Sequence, residues 1–279
     1  MRECVFSATL ISILDMDSVN QNKMDFVFVG VEPNAGQQAY AYAALDSQLR
    51  LIAIKDCELA ELLEFLDSNP TTTIAINSPS DVNHGVIREK LKQEQIQPHQ
   101  IRGADLRVAE FELRKLGVQV TGTPAHIGLC PTWMQSGFEI YRNLKELGYQ
   151  AINSTPFEHQ FLETNPQASF FSLIGSNPLS KPTMEGRLQR QLILHECGIQ
   201  IKDPMDFFEE ITRYKIINGS LPIQLIYPPE YLDALVGAYT AWCWIHDHQH
   251  IQILGSQEEG RIVLPGSLST KRQVSVRTP

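Results

Sequence analysis

The chain has 279 residues and a mass of 31.5 kDa; 43% of its residues are hydrophobic and 20% charged. A chain of this length and composition can bury a substantial core, which excludes a disordered chain, a fibre and a coiled coil. Twenty-three Lys and Arg against 32 Asp and Glu give a formal net charge of −9, so no fold-wide positive field exists and contact with nucleic acid requires a local basic patch.

The clear pattern begins at Met24. Residues 1–23 hold a short apolar run, but Glu3 interrupts its basic start, Asp15 and Asp17 follow it, and no A-x-A cleavage site appears. They are read either as a loosely attached, disordered extension or as a misassigned start with Met24 the real one, ahead of a single domain over 24–266, with a basic tail over 267–279. Residues 26–32 (FVFVGVE) predict a strand buried on both faces. Residues 38–45 and 49–55 predict two more strands, joined by a hairpin over Asp46–Gln48. An amphipathic helix over 57–67 ends at Asn69-Pro70, and a buried strand over 73–76 stops at Asn77-Ser78-Pro79. Helices follow over 105–116, capped by Gly117, and over 133–147, ending at Gly148. A short strand occupies 160–164, a helix 184–197, and Asp203-Pro204 reads as a helix start. A long apolar helix over 230–245 precedes a hairpin of 251–254 with 261–264. The order predicts an α/β chain: a mixed sheet flanked by helices, with a helical region inserted.

No apolar stretch of about 18 residues occurs, so no helical membrane span is expected. Cys4, Cys57, Cys130, Cys197 and Cys243 are odd in number and widely spaced, without a C-x-x-C pair. That argues against structural zinc and for a reduced, cytoplasmic setting.

Ligands in α/β sheets collect beyond the carboxyl ends of strands. Glu32 ends the first strand, Asn77 the fourth, and Glu163 the strand before Asn165-Pro166, while Glu230 and Asp233 share a face of the late helix. Oxygen ligands converging from separate elements suit Mg²⁺ or Mn²⁺, and two such ions could clamp a phosphodiester. The bland readings are a dipole partner for Glu230 and a solvated helix position for Asp233.

The same residues carry a resemblance. The stretches FVGVEPNAG, IAINSPSDVNHG, LRVAEFELRKLGV, WMQSGFEIYRNLKELGY, LETNPQASFFSLIG, KPTMEGRLQRQLIL, DPMDFFEEITR and LDALVGAYTAW, together with Thr123-Pro124, resemble a predicted RNase H-like nuclease family filed as a domain of unknown function. The resemblance spans roughly residues 24–265. It implies an RNase H-like sheet, Mg²⁺ or Mn²⁺ as cofactor, and phosphodiester hydrolysis as the activity. It implies site roles for Glu32, Asn77 and Asp233, with Glu163 and Glu230 as further metal ligands. Two positions depart from its pattern: Glu32 and Asn77 stand where Asp is expected. The loss of a charge at Asn77 implies weakened metal binding and an impaired active site. The alternative from another class is a non-catalytic member that binds nucleic acid or a protein partner through the same cleft; a small-molecule phosphate enzyme is the third reading.

Lys181, Arg187 and Arg190 flank one helix start and are candidates for holding a substrate phosphate, against satisfaction by Glu185, Glu196 and solvent. Arg107, Glu110 and Arg114 read as a polar helix face with an exposed Glu110–Arg114 pair worth about 0.3–0.5 kcal/mol. His246, His248 and His250 could ligate a metal, although a polar connecting loop fits them better. Trp242, Trp244, Phe207 and Phe208 read as packing residues. Gly30 to Gly36 lacks a phosphate-loop motif, no Ser has a G-x-S-x-G context, and Cys130, followed by Pro131, is given no assigned reactivity.

Overall fold

The computed structural model describes residues 26–33, 40–69, 71–97, 101–152 and 158–266. The expected N-terminal extension and basic tail lie outside the described residues. Strands β1 (Val27–Pro33), β2 (Tyr40–Leu45) and β3 (Leu51–Cys57) form an antiparallel meander. β4 (Thr72–Ile76) returns parallel to β1, and β6 (His159–Glu163) lies parallel to β4. The two-residue β5 (Gln150–Ala151) pairs with β6, as does β8 (Gly260–Leu264), and β7 (Gln252–Ser256) closes a hairpin with β8. The result is a mixed eight-stranded sheet ordered β3-β2-β1-β4-β6-β8-β7, an α/β fold consistent with RNase H-like architecture.

Helices cover both faces, which is why β1, β2 and β4 read as continuous apolar runs. Period-two alternation puts Val27, Val29 and Val31 against α1 (Leu59–Asp67) and α4 (Thr132–Glu146). Phe28 points the other way, into a core built with α5 (Pro166–Ile174), α6 (Met184–Glu196) and α9 (Pro229–His246). A third cluster packs α3 (Val108–Lys115) onto the β7–β8 hairpin. Among the described residues no helix is long and apolar enough to cross a membrane.

Three helices escape the sequence periodicity. The short α8 (Arg213–Ile217) buries no residue. α2 (Val86–Gln93) is half charged and buries only Val86 and Ile87. α5 carries no charged residue and shows no one-sided apolar stripe; it follows Asn165-Pro166, where Asn165 accepts from the Ala168 amide and proline sits in the first turn. Asp203-Pro204 does not itself begin a helix. Asp203 instead accepts from the Met205 amide at 2.8 Å, and a single turn, α7 (Asp206–Glu209), follows. Phe207 is buried as expected, but Phe208 is 53% exposed because one turn offers only one covered face.

The closest approach of layers is between β1 and α9. A Cβ added at Gly237 would lie 3.2 Å from the Gly30 Cα, and one added at Gly30 would overlap the Ala234 carbonyl and the Ala238 amide. Backbone meets backbone here because neither residue has a side chain. Gly30→Ala should therefore destabilise the protein by at least about 3 kcal/mol, through overpacking that no rotamer change relieves. Urea unfolding measures this; a midpoint equal to wild type would show that helix and strand do not touch at this point.

Candidate functional site

The glycine contact also sets the position of two carboxyls. From Gly30, Glu32 lies two residues on along the strand, about 6.6 Å. From Gly237, Asp233 lies one helical turn back, about 6 Å. The two side chains are thus carried equal distances beyond the contact and emerge together at the carboxyl end of the sheet. Asn77, the residue after β4, completes the group from the neighbouring strand, and its Nδ2 donates to Glu32 Oε2 at 2.5 Å.

Lys181 enters from the loop between α5 and α6, and its ammonium forms an ion pair with Asp233. The loop is braced on both sides of the lysine. Arg190 donates to the Leu179 carbonyl at 2.7 Å, the Leu179 amide donates to Gln189 Oε1 at 2.7 Å, and Thr183 Oγ1 donates to the Ser180 carbonyl at 2.9 Å.

The electrostatics are those of a buried acid pair. Burial, followed by the nearby Asp233 carboxylate, raises the Glu32 carboxyl from 4.5 to about 8, with Lys181 and Asn77 opposing the rise and Glu230 adding to it. Asp233 is also raised by burial, although Lys181 and Arg190 pull the other way and Glu230 again adds to the shift. Burial alone would lower Lys181, but Asp233, Glu32 and Glu230 more than offset it and hold its ammonium charged. Among the described residues Lys181 is the ammonium shared by the buried Asp233 and the half-buried Glu32, and the shortfall of positive charge keeps the Glu32 carboxyl raised.

The structure thus brings together Glu32, Asn77, Asp233 and Lys181, with Glu230 within electrostatic reach. It does not bring Glu163 to them. Glu163 is bidentate with the buried Arg107, at 2.5 Å and 3.1 Å, and accepts from the Ser80 amide and hydroxyl at 2.9 Å and 3.0 Å. Arg107 also holds Glu110 at 3.0 Å, and Glu110 takes the Thr123 amide and hydroxyl. The exposed Glu110–Arg114 pair expected from helical spacing is absent. Glu110 is 3% exposed and Arg107 1%, because this face of α3 turns inward beneath the hairpin. Glu259 accepts from the amides of His84, Val86 and Val108, so one carboxylate serves the first turns of both α2 and α3.

The arginines expected to grip phosphate are braces instead. Arg190 is 1% exposed and donates to Leu179, Gly186 and Gln167. Arg187 donates to the carbonyls of Ile226 and Tyr227, at 2.8 Å and 2.9 Å, fixing the segment that enters α9. The three histidines do not converge: His246 packs on Phe28 and Trp242, His248 meets the Trp244 carbonyl, and His250 pairs with Asp247. Among the described residues no three His, Cys, Asp or Glu side chains are gathered as a ready metal site.

Residues 30–259 match the family described as Protein of unknown function (DUF429). The chain belongs to this family. The match runs from Gly30, at the glycine contact, to Glu259, beneath the second network, so both constellations fall within it. No curated protein and no solved structure matches the chain.

Sequence reading passed over Arg107 and Glu259 as site-supporting groups. The spacing of Arg107 and Glu110 was visible, but nothing local shows that a charged helix face is buried. Two outcomes test these assignments. Arg107→Leu should cost about 3–5 kcal/mol, because Glu163 and Glu110 remain buried without their cation; a loss below about 1 kcal/mol would mean the network is hydrated. Glu32 holds its proton in the folded state up to about pH 8 and releases it near pH 4.5 when unfolded. Between those values the folded state binds more protons, so stability falls as pH rises. Glu32→Gln removes that slope. In chelator, it should gain on wild type progressively between pH 5 and pH 8, by up to about 4 kcal/mol over those three units. Parallel stability curves would refute the raised carboxyl.

Proposed function

We propose that the chain is a metal-dependent phosphodiester hydrolase of RNase H-like type, with a weakened cation site formed by Glu32 and Asp233. The observation that carries this reading is the under-compensated carboxyl pair at the carboxyl end of the sheet. Perturbed acids in such a place are characteristic of functional sites. Mg²⁺ commonly takes one or two protein carboxylates, completing its shell with water and substrate phosphate. Glu32 and Asp233 fit that requirement, with the Asn77 carbonyl oxygen and Glu230 as auxiliary oxygens; a dedicated two-ion cage does not fit the residues present. A hard divalent ion bound there would supply Lewis-acid polarisation and an acidified water. The protein's own groups have separate tasks. Glu32 must lose its proton for the pair to act as ligands. Asn77 holds the Glu32 carboxylate in one orientation by its Nδ2 donor. Lys181 balances Asp233 and, on this reading, would hold a non-bridging phosphate oxygen.

One observation favours a second reading, a non-catalytic binder of nucleic acid or a protein partner through the same cleft. Asn77 supplies no charge, and among the described residues no three His, Cys, Asp or Glu side chains are gathered as a ready metal site.

Mn²⁺ titration followed by calorimetry, paired with cleavage of a labelled oligonucleotide, separates the two. The hydrolase reading expects binding that tightens as pH rises toward 8 and is abolished by Asp233→Asn, with cleavage lost in parallel. Asn77→Asp should strengthen Mn²⁺ binding about tenfold or more, by adding the missing charge, while weakening the metal-free fold. Lys181→Met should also strengthen Mn²⁺ binding, through loss of a competing cation, yet reduce cleavage. Absence of any Mn²⁺ response in wild type and in Asn77→Asp would reject the hydrolase reading.

A further inference from the structure

Beside the acid pair, a cleft of about 190 Å³ opens above the carboxyl ends of β4 and β6. Asn77 is shared between the two, so the cleft begins where the candidate site ends. The buried Arg107–Glu163 pair forms part of its floor, and Trp133, in the first turn of α4, lines it. Its rim is Gln119, Val120 and Thr121.

Trp133 is held there by packing. Gly137 lies one turn further along α4 and presses directly on the Ser78 side chain, where a Cβ would overlap. Tyr141, another turn along, donates its hydroxyl to the Ser78 carbonyl at 2.9 Å. Residues 133, 137 and 141 share a face, so this face of α4 is fixed over the segment that follows Asn77. The indole of Trp133 nevertheless remains only half-buried. It differs from the other tryptophans in its polar edge. Trp242 donates to the Ser47 carbonyl and Trp244 to Gln160, whereas no described residue hydrogen-bonds the side chain of Trp133, Gln119 or Thr121.

The cleft continues over Gln119 and Val120 into a second groove of about 440 Å³, flanked by Arg102 and Arg114. Both arginines are exposed, and neither is in an ion pair with a described residue. They contrast with Arg187 and Arg190, whose guanidinium groups bind backbone carbonyls. Along one continuous surface the order is therefore cation and acid pair, aromatic cleft with unpaired polar groups, then two open cations. Single-stranded nucleic acid presents the complementary alternation of phosphate and base. Binding sites for it combine a cationic track with aromatic platforms. A net charge of −9 makes this local placement more informative than it would be on a basic protein.

We propose that this cleft receives one unpaired base of a single-stranded nucleic acid, stacked on Trp133 and edged by Gln119 and Thr121, with Arg102 and Arg114 holding a neighbouring phosphate. The proposal deepens the hydrolase reading and rests on it for the placement of the strand across Glu32 and Asp233. The occupant is defined by a flat aromatic face attached to a phosphate, which RNA and DNA share.

The test uses the full chain in EDTA, so that no cleavage intervenes, with fluorescein-labelled oligouridylate and oligothymidylate followed by anisotropy. Wild type should bind at least one of them, and which one decides between RNA and DNA. Trp133→Ala should weaken that binding about tenfold to a hundredfold, and Trp133→Phe should restore most of it. Arg102→Ala with Arg114→Ala, both on the surface and harmless to the core, should lose about tenfold and flatten the salt dependence. Oligonucleotide binding unchanged by both Trp133→Ala and the double arginine variant would overturn the proposal, as would a wild type that binds neither oligonucleotide. Mn²⁺ titration separates the two levels. Loss of oligonucleotide binding in Trp133→Ala, in a protein that never binds Mn²⁺, keeps the subsite and removes the hydrolase. Mn²⁺ binding and cleavage that survive Trp133→Ala with unchanged oligonucleotide affinity keep the hydrolase and remove the subsite.

Discussion

The backbone contact between Gly30 and Gly237 is the constraint from which the candidate site follows. It removes the side-chain layer that normally separates a helix from a sheet, so α9 approaches β1 more closely than packed side chains would allow. The carboxyls of Glu32 and Asp233 are then delivered to one place by the matching of strand rise and helical rise. Close approach also withholds water, and lost hydration is the largest cause of the raised Glu32 carboxyl. Geometry and electrostatics at the site therefore share one origin, and a larger residue at either glycine would disturb both.

The fold contains two clusters of buried acids, and compensation distinguishes them. Glu163, Glu110 and Glu259 are answered by a bidentate guanidinium, by threonine and serine hydroxyls, and by backbone amides at two helix starts. That cluster ties α2, α3 and the segment after β4 to the end of β6. Its partners are internal, so its acids have little left to offer a ligand. Among the described residues, Glu32 and Asp233 are bonded by one ammonium and one amide, and that ammonium is held by a loop rather than by the core. An incomplete set of internal partners is what allows an external cation or phosphate to improve the energy of the site.

Most of the sheet was legible in the sequence because its strands are buried on both faces and bounded by turn residues, as with Phe26 to Glu32 and Thr73 to Asn77. The convergence of Glu32, Asn77 and Asp233 was legible only through their places at element ends and through family resemblance. What sequence hides is the direction in which a charged side chain faces. Arg107 and Glu110 have the spacing of a solvated helix face, and Arg187 and Arg190 that of a phosphate grip. All four are turned inward by neighbours distant in sequence: the hairpin for the first pair, the approach to α9 and the loop at Leu179 for the second. Glu163 ends a strand as a ligand should, yet a guanidinium arriving from α3 claims both its oxygens.

The replacement of an expected aspartate by Asn77 acquires a physical meaning from its bond to Glu32. An aspartate there would add a further acid to an already raised pair and raise it more. An asparagine instead donates to Glu32 and lowers the energy of its ionised form. The longer Glu32 side chain extends that carboxyl one methylene beyond where an aspartate would stop, toward the amide. The two departures thus belong together: the longer carboxyl reaches an amide that donates to it, and the pair carries less negative charge than two carboxylates beside an aspartate would. On the proposed hydrolase reading, a hard cation would compete for the same oxygens with a proton on Glu32 and with the Lys181 ammonium on Asp233. The balance would then depend on pH and on how firmly the Leu179–Thr183 loop holds its lysine, so the braces around Lys181 would matter as much as the acids themselves.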